Sequence, residues 1–86
     1  MAKLKITRVG GETVTLAVSP AVEFAFESKY NDGFHKRFRL EERQTDMYWL
    51  AWECLRSNGQ TVPEFGLAFI QTLVSVTVED DDSPNE

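Results

Sequence analysis

Two short runs in which apolar and polar residues strictly alternate, joined by a pair of glycines, constrain the fold of this chain more than any other feature. Leu4 and Ile6 alternate with Lys3, Lys5 and Thr7; Val14 and Leu16 alternate with Thr13, Thr15 and Ala17, and Val18 extends the second run. Side chains on a strand point to opposite faces with a period of two, so each run specifies one apolar and one solvated face. Gly10-Gly11 supplies the positive φ angles of a tight connection. An amino-terminal β-hairpin follows. It needs something to cover its apolar face, because an isolated hairpin is at best marginal in water.

The next segment supports two readings. Val22, Phe24 and Phe26 alternate with Glu23, Ala25 and Glu27, and we expect a third strand there. The competing reading is a short helix capped by Ser19 with Pro20 at its first position. Asn31-Asp32-Gly33 is a turn signal, after which Phe34 and Phe38, four apart among His35, Lys36, Arg37 and Arg39, suit a short helix with an aromatic edge.

A further helix is expected from a Thr45 cap to about Ser57, with Gly59 as its left-handed stop. Tyr48, Trp52, Leu55, Ala51, Cys54 and Met47 share its apolar stripe, whereas Trp49 falls on the flank with Glu53 and Arg56. Thr61-Val62-Pro63-Glu64 reads as a capping box opening a last helix with Val62, Phe65, Phe69 and Leu73 on one face. Leu67 and Val74 form a second apolar line nearly opposite. Val74, Val76 and Val78 also alternate as a short final strand would. The fold class is therefore α+β: a hairpin, a third strand, two or three short helices, and a disordered acidic tail over residues 79–86 following a single domain over 1–78.

At 86 residues, the chain buries only about 60–65% of its unfolded surface, so it depends on an efficient core. Its two Trp, two Tyr and six Phe help, each burying roughly 150–250 Å². The net charge of −5 is uneven: residues 1–43 carry eight Lys/Arg against six Asp/Glu, and residues 44–86 carry one against eight. Phosphate would be repelled by the second half, so we expect no nucleic-acid partner. The single Cys54 cannot form an internal disulfide and reads as a buried thiol in a reducing compartment. No window approaches the ~18 apolar residues of a membrane span, and the alternating start lacks the pattern of a signal peptide. A soluble, cytoplasmic protein is expected.

No constellation for chemistry emerges. His35 is the sole imidazole and there is no nucleophile elbow. Asp80-Asp81-Asp82 lacks the glycine and distant glutamate of a calcium loop, and Gly10-Gly11 is a bare turn rather than a phosphate cradle. We expect no enzyme, no cofactor and no metal. Trp49, Phe34, Phe38, Leu67, Val74 and Arg56 are assigned to a partner surface. Tyr48, Trp52, Leu55, Phe65, Phe69 and Leu73 are assigned to the core.

From Val22 onward the chain resembles the small tail assembly chaperones of long-tailed bacteriophages. The residues that carry the likeness are Phe26-Glu27, Gly33-Phe34 and Phe38, Trp49-Leu50-Ala51-Trp52, Gly59, Phe65 and Leu73, then Val76 and the acidic end. The resemblance implies a holdase that coats the long tape measure protein in the bacterial host cytoplasm and helps deliver tail tube subunits to it. It also implies a largely helical fold, absence from the finished particle and a longer frameshifted form. Self-association is open on separate grounds, since a chain this short could draw part of its stability from copies of itself. Two other classes stay open. One is a small acidic inhibitor or adaptor that binds a host protein or imitates nucleic acid through Asp46, Glu53 and Glu64; the other is a structural component of the particle.

Overall fold

The computed structural model describes residues 2–41 and 43–80. Strands β1 (Ala2–Arg8) and β2 (Thr13–Ala17) form the expected hairpin, with Gly10 and Gly11 at φ 104° and 91°. Helix α1 (Pro20–Tyr30), a π-helix (His35–Glu41), α2 (Gln44–Ser57), the single-turn α3 (Leu67–Ile70) and strand β3 (Leu73–Asp80) follow. The sheet is antiparallel in the order β2-β1-β3. One face carries Leu4, Ile6 and Val76 into the core, while Lys5, Thr15 and Thr77 point to water. An α+β architecture is thus observed, with its third strand at the other end of the chain from the one expected.

Residues 20–30 are helical, which corrects the strand expected at Val22 to Phe26. Both periods fit the same apolar residues, since Val22 and Phe26 are two strand repeats or one helical turn apart. The capping chemistry decides. Ser19 accepts the Val22 N–H at 3.3 Å, Pro20 occupies the first turn where its missing N–H costs nothing, and Asn31 closes the helix in the left-handed region at φ 54°. Val22 and Phe26 are buried together, and Phe24 is left 73% exposed on the opposite side.

Helix α2 ends as expected at Gly59 (φ 88°), where Gln60 N–H reaches Leu55 C=O and Gly59 N–H reaches Arg56 C=O, the paired bonds of a Schellman motif. Its start differs: Arg43 holds the cap position and Thr45 lies inside the first turn. The capping box expected at Thr61 does not form. Residues 60–66 run without helix because Trp52 Nε1–H donates to Pro63 C=O at 2.7 Å, drawing this segment across α2 and laying Val62 and Phe65 against the core. A half-buried indole N–H needs an acceptor, and Pro63 supplies it.

A β-bulge resolves the conflict around Leu73 and Val74. The β1–β3 register shifts between Thr7 and Arg8, so Leu73 pairs with Arg8 and Ser75 with Thr7. Val74 is the extra residue and turns outward, while Leu73 keeps its place against the core. Glu79 and Asp80 pair with Lys3 and Ala2, so β3 runs past the expected domain boundary at residue 78. The rest of the expected tail, residues 81–86, lies outside the described residues.

Candidate protein-binding surface

Trp49, Phe34 and Phe38 belong to the core, which corrects their assignment to a partner surface. They are 7%, 7% and 2% exposed. Phe26 explains all three: its ring centroid lies 5.3 Å from Phe34, 6.0 Å from Phe38 and 6.1 Å from Trp49, mostly edge to face. Phe34 and Phe38 stack on each other at 5.1 Å. The flank of α2 that looked polar in projection is covered by α1, so its Trp is buried. Leu50, absent from both assignments, is fully buried on the same side.

Among the residues assigned to the core, Leu55 and Phe69 are fully buried, whereas Tyr48, Trp52, Phe65 and Leu73 are half-buried and packed against the central cluster. Aromatic contacts continue from Tyr30 through Trp49, Trp52 and Phe65 to Phe69. This chain of rings links the helical layer to the start of β3.

Two acidic residues of α2 are buried, each for an electrostatic reason. Asp46, 1% exposed, receives Arg37 Nε at 2.8 Å and Nη2 at 3.2 Å, a forked pair that ties the π-helix to α2. The Arg37 guanidinium also lies 4.0 Å from the Tyr30 ring centroid. Burial, reinforced by the Asp46 charge, pushes the Tyr30 phenol up to about 12. Glu53, 6% exposed, binds Arg56 at 3.1 Å and accepts from Ser57 Oγ. The reading in which Asp46, Glu53 and Glu64 imitate nucleic acid therefore loses two of its three carboxylates to internal pairs. Sequence reasoning had no signal for Asp46; an Arg nine residues earlier across a turn carries no periodic signature.

Among the described residues, no three or more of His, Cys, Asp and Glu are grouped to hold a metal ion. Cys54 is buried, and burial together with the Glu53 charge pushes its thiol up to about 12. A thiol held neutral is a poor nucleophile. The folded protein favours the neutral thiol and the neutral Tyr30 phenol, so this stability is complete below their ordinary values of 9.0 and 10.0 and is lost as pH rises toward about 12. The melting temperature is expected to be level to about pH 9 and to fall from there to pH 12, with Cys54→Val removing part of the fall. Alkylation by iodoacetamide at pH 8 should be slow until denaturant is added. A flat melting profile to pH 12, or rapid native alkylation, would contradict this burial.

Among the described residues, the large apolar side chains left outside are Phe24 (73% exposed), Leu40 (71%), Val9 (68%), Leu67 (68%) and Val74 (64%). Leu67 and Val74 match their assignment to a surface. Three of the five gather around one junction. Val9 N–H donates to Thr72 C=O at 2.8 Å, Leu67 opens the helical turn that Gln71 N–H closes, and Val74 is the bulged residue two positions beyond Thr72. The turn after β1, α3 and the start of β3 thus adjoin one another along the backbone, and each bears one exposed side chain of an apolar rim. Arg56, also assigned to the surface, is exposed but held by Glu53 and stacked 5.2 Å from the Trp52 ring. None of the helices described is long and apolar enough to cross a membrane.

No protein-family model, no curated protein and no solved structure matches this chain.

Proposed function

We propose that this chain works by binding another protein, as a small chaperone of phage tail assembly that keeps the tape measure protein soluble and helps deliver tail tube subunits to it. The observation that carries the reading is the rim of Val9, Leu67 and Val74, three exposed apolar side chains on adjoining segments. Apolar side chains grouped in this way favour a protein partner with an apolar face, such as an amphipathic helix. The net charge of −5 would keep such a complex soluble.

The inhibitor reading is weaker because Asp46 and Glu53 serve the fold. Reversing their charge would report on folding before it reported on binding.

Co-expression with a tape measure protein tests the proposal. The wild-type chain is expected to raise the soluble fraction of that protein, and the Leu67→Lys/Val74→Lys double variant to weaken binding by about tenfold or more in Kd while keeping a native circular dichroism spectrum. Unchanged solubility with the wild-type chain would end this reading; undiminished binding by the double variant would remove the rim from it.

A further inference from the structure

We infer that the free edge of β2 pairs with the β2 edge of a second copy of this chain, joining two three-stranded sheets into one. The argument begins with the direction of the backbone groups. Arg8 N–H donates to Glu12 C=O at 2.8 Å and Val18 N–H to Ala2 C=O at 2.9 Å, and both pairs continue the register that sets Leu4 opposite Leu16 and Ile6 opposite Val14. In an antiparallel ladder the residues that exchange bonds with one neighbour alternate with those that face away. Thr13, Thr15 and Ala17 therefore turn their N–H and C=O groups outward, to an edge that, among the described residues, no other strand occupies.

The two edges of the sheet are built differently. β3 carries a bulge at its start and Glu79 near its end, features that discourage pairing with another strand. β2, Thr-Val-Thr-Leu-Ala, has no charge, no proline and no bulge. Its inner face is also incompletely roofed. Leu4 and Ile6 on β1 are fully buried, yet their partners Leu16 and Val14 are only half-buried, and beside Leu16 an open cleft of about 230 Å³ reaches Val22 and Cys54.

A second copy fits this edge by symmetry and by charge. A twofold axis through Thr15 sets Thr15 opposite itself, Thr13 opposite Ala17 and Val14 opposite Leu16, so every outward N–H meets an outward C=O. The half-buried Val14 and Leu16 of the two copies meet on the inner face, at the mouth of the cleft. No like charges face each other across this edge, an important condition for a chain of net charge −5.

Sedimentation velocity on the full chain, from micromolar to near-millimolar concentration, tests the inference. The wild-type mass is expected to double with concentration. Thr15→Pro removes an outward N–H that β1 does not use, and Thr15→Lys sets two ammonium groups against each other on the axis; both are expected to stay at the mass of one chain. Circular dichroism checks the fold, and if Thr15→Pro loses its native spectrum, Thr15→Lys alone decides. A wild-type chain that stays at one mass throughout overturns the inference, as does doubling retained by the folded Thr15 variants. The Leu67→Lys/Val74→Lys variant is expected to associate like the wild type, which separates this edge from the rim; loss of association in that variant would also overturn the assignment.

Discussion

Replacing Phe26 with alanine is expected to destabilise the protein by about 3–5 kcal/mol. The ring is fully buried and is the hub of the helical layer, within 4.6 Å of Tyr30 and 6.1 Å of Trp49 between centroids, with Phe34 and Phe38 on its other side. Removing it leaves a cavity that α1, the π-helix and α2 all border. A domain of this length has only about 5–10 kcal/mol in total, so the variant should be close to unfolding at 37 °C. Urea denaturation followed by circular dichroism would read the loss as a lower midpoint at constant slope. Phe24→Ala, two residues away but 73% exposed, is the control and should stay within about 0.5 kcal/mol of wild type. Similar midpoints for the two variants would mean that α1 faces the wrong way.

Asp46→Ala should cost about 1.5–3 kcal/mol, because it removes a buried carboxylate that accepts two charge-assisted hydrogen bonds and leaves the partly exposed Arg37 guanidinium without its partner. The expected size rests on what is left behind rather than on the attraction itself. Arg37→Met/Asp46→Leu, which removes both charges, is therefore expected to recover much of the loss. A second readout belongs to this site alone. Without the Asp46 charge the Tyr30 phenol should titrate below the value of about 12 it has in the intact protein, while its burial still holds it above the ordinary 10.0, measured by absorbance of the phenolate. If the double variant is as unstable as the single one, packing rather than charge holds the π-helix against α2.

These two residues also mark how far sequence reasoning reached. Phe26 was visible as an apolar position, and its helix stood only as the competing reading to a strand, because Val22 and Phe26 satisfy both periods and only the Ser19-Pro20 cap separates them. Asp46 was invisible. Its burial depends on Arg37 arriving from a separate element, and charge burial is a property of the pair. Trp49 was misplaced for a related reason: helical projection ranks faces by their own composition, whereas the face that is buried is the one a neighbour covers.

The amino acids alone settled the hairpin, the end of α2 at its glycine stop, and the buried thiol, since alternation, left-handed glycine and a single cysteine act through local geometry. They also marked Leu67 and Val74 as outward-facing. The alternation of Val74, Val76 and Val78 already marked a short final strand, but only the tertiary structure decided that it spans residues 73–80 and pairs with β1, that a bulge turns Val74 out while Leu73 stays in, and that Phe34, Phe38 and Trp49 close on Phe26. Each of these depends on which segments meet across the fold, and contact between distant segments is set by the packing of the whole chain.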